Sequence, residues 1–140
     1  MRKYLTVDYV KSDTVISDLA FAIYNPELYL FGLLSSRMHM LWLQTVSGRF
    51  GEGFRYSSVL CYNTFYFPSI DHKKKDNIEE CVLNIINERE KHSEKTLSEL
   101  YDSISMPKKL LSSHQELDEI VEECMTNRSF INDDDRLKFL

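Results

Sequence analysis

The residues of this sequence best suited to grip a polyanion flank a short glycine-rich stretch. It reads Ser47-Gly48-Arg49-Phe50-Gly51-Glu52-Gly53-Phe54-Arg55 and is followed at once by Tyr56 and Ser57. A guanidinium is a rigid fork of donors that fits a phosphate or a guanine edge, hydroxyls can donate or accept, and glycines let a backbone approach a groove closely. Glu52 sharpens the reading, because phosphates repel a carboxylate unless it accepts from a base such as cytosine N4. The candidate nucleic-acid contacts are therefore Arg49, Glu52, Arg55, Tyr56 and Ser57. The competing reading is a structural hairpin whose arginines pair with carboxylates, and residue chemistry alone favours it.

Other chemistry finds less support. Gly51-x-Gly53 has the composition of a cofactor cradle, but such a loop follows a strand and opens a helix, whereas this one follows a helical pattern and precedes strand-like sequence. Asn63-Thr64-Phe65-Tyr66 is similar to the Asn-Pro-Pro-Tyr/Phe motif of amino-methyltransferases but lacks both prolines, and it reads as a strand end. No Ser/His/Asp set, His-x-x-x-His pair or carboxylate dyad stands out, so no catalytic residue is assigned. Cys61, Cys81 and Cys124 are odd in number and far apart, and His39, His72, His92 and His114 lack ligand spacing, so neither a disulfide framework nor a metal is expected. Arg37 and His39 interrupt an apolar stretch. Arg37 is expected to point outward and His39 to be a hydrogen-bonded core residue, the alternative being that both stand beside a ligand or an adjoining domain. Lys73-Lys74-Lys75 reads either as a DNA contact or as a solvated linker.

These residues need elements to position them. Tyr4 to Val10 and Asp13 to Ser17 read as short strands. Asn25-Pro26-Glu27 is a helix start, and one helix is expected to run to about Thr45 or Val46, apolar nearly all round and therefore buried, with Gly48 ending it. Phe54 to Phe67 reads as one or two strands closed by Pro68. Beyond that the pattern turns helical. Ile78, Val82, Ile85 and Ile86 mark an amphipathic helix over about 75–92, Thr96-x-x-Glu99 is a capping box, a third helix begins near Met106-Pro107, and Asn132 or Asp133 caps a last one. The fold class is α+β: a small strand-rich segment around a long buried helix, followed by an α-helical C-terminal bundle.

Composition agrees with a division near residue 70. Residues 1–70 hold six Lys/Arg against five Asp/Glu, and residues 71–140 hold eleven against seventeen, so most of the net charge of -5 belongs to the second part. Fourteen of the 17 aromatic residues lie in the first part. No apolar run is long enough to cross a bilayer and no signal-peptide pattern opens the chain, so a cytoplasmic address without membrane contact is expected.

The order of motifs carries a resemblance. Asp13-Thr14-Val15-Ile16-Ser17, Phe31-Gly32-Leu33-Leu34-Ser35-Ser36-Arg37-Met38-His39-Met40, Trp42, Thr45-Val46-Ser47-Gly48-Arg49, Arg55-Tyr56-Ser57 and Tyr62-Asn63 are similar to the C-terminal part of MmeI-like type II restriction-modification enzymes. Leu100-Tyr101-Asp102, Met106-Pro107, Leu110-Leu111, His114-Gln115, Leu117-Asp118 and Asp135-Arg136 resemble that family's C-terminal helical segment. The resemblance implies that residues 1–70 are the distal part of a DNA target-recognition domain and residues 71–140 a C-terminal helical domain. It implies double-stranded DNA as partner. It also implies an upstream methyltransferase domain that uses S-adenosylmethionine for adenine-N6 methylation. Family members often carry a charged base-reading side chain between the Gly-Arg and Arg-Tyr-Ser motifs, where this sequence has Gly51 and Gly53, so that either Glu52 reads a base from a shifted backbone or this loop does not discriminate.

The expectation is thus a non-catalytic recognition segment that binds no cofactor of its own. The rival is a cytoplasmic protein-interaction module whose acidic helical part docks a partner. Calorimetric titration of the 140-residue chain with S-adenosylmethionine is expected to give no saturable heat. Binding at micromolar cofactor would show that Gly51-x-Gly53 cradles a ligand after all.

Overall fold

The computed structural model describes residues 2–51 and 53–140, with the side chain of Phe50 also left aside. Its helices are α1 (Leu28–Ser35), α2 (Arg37–Val46), α3 (His72–Glu90), α4 (Leu97–Leu100), α5 (Lys108–Met125) and α6 (Asp133–Phe139). Strands β1 (Gly48–Phe50) and β2 (Gly53–Arg55) form an antiparallel hairpin, and Ser58–Tyr62 makes a π-helical turn.

The core forms where α1 lies against α3 and α5. Phe31 and Leu33 from α1 pack with Ile78, Val82 and Ile85 of α3 and Leu110, Leu117 and Val121 of α5, all buried. Gly32 makes the approach possible. A Cβ there would stand 2.4 Å from Ile78 Cγ2, 3.1 Å from Val82 Cγ2 and 3.2 Å from Leu117 Cδ1. The helical half follows its local signals. Asp71 caps α3 by accepting from the Lys74 amide at 2.8 Å, and Asn132 caps α6 by accepting from Asp135 at 2.9 Å. Thr96 and Glu99 form the complete capping box of α4.

Several expectations are corrected. The single helix over 25–46 is two, because Ser36 adopts an extended conformation, and its hydroxyl donates to Leu33 O and accepts from the His39 amide. Asn25 does not start α1. It has a left-handed φ of 48°, and the helix begins at Leu28. Tyr4 to Val10 and Asp13 to Ser17 form no strands, since no ladder among the described residues reaches them and residues 8–25 are exposed. Within Phe54 to Phe67 only the end of β2 is strand, and Asn63 closes the π-helical turn. Gly48 opens β1 instead of ending a helix. The three lysines sit in the first turn of α3 and not in a linker. Lys75 pairs with Glu27 at 3.2 Å and lies over the Tyr29 ring at 4.3 Å, which ties α3 to the start of α1.

A polar network crosses the core. Buried Arg89 donates to Tyr101 Oη from Nε at 2.8 Å and to Val7 O from Nη1 at 2.6 Å. Tyr101 Oη meets His114 Nε2 at 2.7 Å, and the His114 ring stacks on Tyr4 with centroids 4.3 Å apart. Tyr4 in turn donates to Asp118 at 2.7 Å. The extended N-terminal residues are thereby fastened to α3 and α5.

Gly32→Ala is expected to destabilise the fold by a net of about 1–2 kcal/mol in urea denaturation. Crowding against the immobile Ile78 costs more than the gain of about 1 kcal/mol in helix propensity returns. An unchanged midpoint would mean that α1 can shift outward freely.

Candidate nucleic-acid interface

The β1–β2 hairpin gathers the sequence candidates. Its register pairs Gly48 with Arg55, Arg49 with Phe54 and Phe50 with Gly53. Directly paired residues of an antiparallel ladder share a face and neighbours along a strand alternate, so Arg49 and Arg55 lie on opposite faces. Both are exposed, and neither reaches a carboxylate among the described residues. The reading in which the arginines are held by acids finds no such pair among the described residues. Gly51, at a φ of 60°, opens the two-residue connection between the strands, as the tight hairpin turns require. Gly51 follows β1 and Gly53 opens β2, so the Gly-x-Gly does not lead from a strand into a helix. Glu52 lies outside the described residues.

The root of the hairpin is held from behind. Half-buried Phe54 and Tyr56 pack against Met40, Leu43 and Cys61, a second small core. Tyr56 Oη lies 3.1 Å from Nε2 of fully buried His39, whose ring meets Phe65 edge-on at 4.6 Å. Ser57 Oγ accepts from the Leu60 amide at 3.3 Å, and the Ser57 amide donates to Cys61 Sγ at 3.3 Å. In front, a hollow of about 390 Å³ is bordered by Phe21, Gly48, Arg55, Tyr56, Ser57 and Leu60. Arg55, Tyr56 and Ser57 thus come together at one place, while Arg49 faces the other way. The involvement of Phe21 and Leu60 carried no sequence signal, because exposed apolar residues have no distinguishing spacing.

His39 is a hydrogen-bonded core residue, as expected, but Arg37 does not point outward. Its guanidinium bonds Asp133 at 2.6 Å and the Lys3 carbonyl, and its amide donates to Asp118 at 2.7 Å. Around this clasp lies a larger hollow of about 570 Å³, lined among others by Lys3, Tyr4, Asp118, Asp133 and Arg136. Its arginines are satisfied by its own acids, Arg136 pairing with Glu122 at 2.6 Å and with Asp133 at 3.1 Å. Among the described residues no group of three or more His, Cys, Asp or Glu side chains could hold a metal ion.

Comparison with known proteins fits this geometry. The family model for the MmeI target recognition domain matches residues 1–69, and that for the MmeI C-terminal domain matches residues 70–140. The chain belongs to the MmeI family. DNA methyltransferase A of Bacillus subtilis (strain 168) is 42% identical over 139 residues, which is 99% of this chain and 16% of that protein. The solved structure of the type IIL restriction-modification enzyme MmeI in complex with DNA is 37% identical, with a TM-score of 0.79 over 83% of this chain and 16% of that one. The chain thus spans about one sixth of the length of these MmeI-family relatives. No helix among the described residues is long and apolar enough to cross a membrane.

Burial sets the protonation of the groups behind this interface. It lowers His39 to about 4 and His114 to about 3, well below the ordinary histidine value. Both histidines therefore take up protons on unfolding below about pH 6.5, and stability falls as the solution is acidified towards pH 4. Asp118 is pushed up by burial to about 7, so it releases a proton on unfolding across the same range and offsets one histidine. The net slope is about 1.4 kcal/mol per pH unit at its steepest. Urea titrations at pH 6.5 and 4.5 should show the lower stability at 4.5, with Asp118→Asn steepening the difference. Equal stability at the two values would mean that the histidines are charged in the folded state.

Proposed function

We propose that this chain is the DNA-reading end of a site-specific adenine-N6 DNA methyltransferase of the restriction-modification type. Residues 1–70 would form the distal part of the target-recognition domain and residues 71–140 the C-terminal helical domain. The observation that carries the reading is the pair of exposed arginines without acidic partners among the described residues, on a hairpin rooted in the core of a chain with a net charge of -5. In a protein that is acidic overall, guanidinium groups exposed together on one short hairpin suit the approach of an anion.

In this reading Arg55, beside the hollow, and Arg49, on the opposite face, contact phosphates or groove edges of double-stranded DNA. Glu52 accepts from a base. Tyr56 and Ser57, whose oxygens are engaged within the chain, adjoin the DNA and set the exit of the hairpin. The segment positions the duplex, and an upstream methyltransferase domain binds S-adenosylmethionine and methylates an adenine. Extrusion of that base is required, because its amine, while paired and stacked in the duplex, cannot be brought into the active-site pocket beside the methyl donor. Such a protein works in the cytoplasm, where the DNA is.

Profiling of methylated sites by the longer polypeptide separates the roles. If Arg49 and Arg55 hold phosphates, Arg49→Ala and Arg55→Ala weaken methylation at all sites alike and reduce the salt slope of binding by about one unit each. Glu52→Ala relaxes one position of the methylated sequence by about 1–3 kcal/mol of discrimination. Unchanged sequence and efficiency in all three variants would take the hairpin off the DNA and favour a protein-interaction module with an acidic helical docking face.

A further inference from the structure

We propose that His39 is a positioning residue for sequence discrimination: it cannot touch DNA itself, but through Tyr56 it fixes the angle at which the β1–β2 hairpin leaves the core. The proposal rests on the hairpin being the DNA-reading element.

The hairpin is a weakly supported structure. Each strand has three residues, so the ladder alone cannot hold a fixed orientation. Its attachment behind consists of Phe54 and Tyr56, and an apolar contact such as that of Phe54 restricts distance more than direction. A hydrogen bond supplies direction. The one between Tyr56 Oη and His39 Nε2, at 3.1 Å, joins the residue next to Arg55 to the first turn of α2. α2 is itself immobilised: Ser36 and Asp118 hold its first turn, and Met38, Met40, Leu41 and Leu43 are buried.

The chemistry of His39 favours a positioning role over a stabilising one. The residue is fully buried, yet Nδ1 has no hydrogen-bond partner among the described residues. An unpaired buried polar atom costs stability, whereas an apolar side chain of similar size avoids that loss. Leucine would pack against Phe65 equally well and could not orient Tyr56. What histidine adds at this place is the bond to the Tyr56 hydroxyl.

The test compares methylation rates of the longer polypeptide at its recognised site and at a site with one base pair changed. His39→Leu and Tyr56→Phe are each expected to lower the ratio of these rates about tenfold, the scale of one base contact. His39→Leu should leave the melting temperature within about 2 °C, and His39→Gln, which can still reach the hydroxyl, should restore the ratio. A ratio unchanged in both variants overturns the proposal. So does one that falls only together with the melting temperature and is not restored by glutamine. Arg55→Ala in the same assay separates the two levels. If it still weakens methylation while His39→Leu and Tyr56→Phe are silent, the hairpin reads DNA and only the role of His39 falls. If it too is silent, both readings fall.

Discussion

The absence of one side chain at Gly32 sets the distance on which the rest of the molecule depends. Any Cβ there would overlap Ile78, so only glycine lets α1 lie against α3 and α5 as closely as it does. Dispersion and burial reward that proximity across the whole contact, since Phe31, Leu33, Ile78, Val82 and Leu117 all become inaccessible to water. With α1 fixed, Ser36 turns the chain sharply and α2 starts at a defined place. The first amide of α2 is received by Asp118, which α5 presents from 81 residues away. Helix packing in the second part of the chain therefore determines where α2, and with it the root of the hairpin, can be.

The polar network works in the same direction. Tyr4, Arg89, Tyr101, His114 and Asp118 bury groups that would be costly if unpaired, and their bonds link the extended N-terminal residues to α3 and α5. Arg37 and Asp133 add a tie between α2 and α6. The stretches matched by two separate family models thus share one continuous core in this chain. A basic, aromatic part and an acidic, aliphatic part need not be independent bodies, because charge is arranged on surfaces while apolar residues of both kinds meet inside.

What was legible in the sequence was what neighbouring residues decide. The capping box at Thr96, the apolar period of α3, the start of α5 beside Pro107, the cap of α6 at Asn132 and the buried character of 28–46 all rest on interactions within a few residues, and all appear in the α+β structure. The glycine-rich stretch was recognisable as a turn between two arginines. Its facing was not, because opposite faces follow from ladder register, a property of two strands together. Tyr4 to Val10 carries a strand pattern, but a strand exists only with a partner to bond. The break at Ser36 was hidden because apolar residues resume beyond Ser35-Ser36-Arg37, and because the start of α2 depends on Asp118 as much as on the serine. Arg37 was misplaced for the same reason, and the bond between His39 and Tyr56 spans 17 residues with no periodicity to announce it.

The open space around the hairpin has a consequence for how such a chain changes over generations. A Cβ at Gly48 would meet nothing within 4 Å, and the side chains of Arg49 and Arg55 stand away from the core. Substitutions there neither crowd nor vacate any packed volume, and their effect on folding should stay within about 0.5 kcal/mol. Gly51 is held by its left-handed backbone and Phe54 by its apolar contacts, so these two positions are constrained while the exposed ones are replaceable. Natural selection can therefore rewrite these positions one residue at a time without first finding a compensating change elsewhere, and lineages can diverge in what the hairpin touches while inheriting the same scaffold.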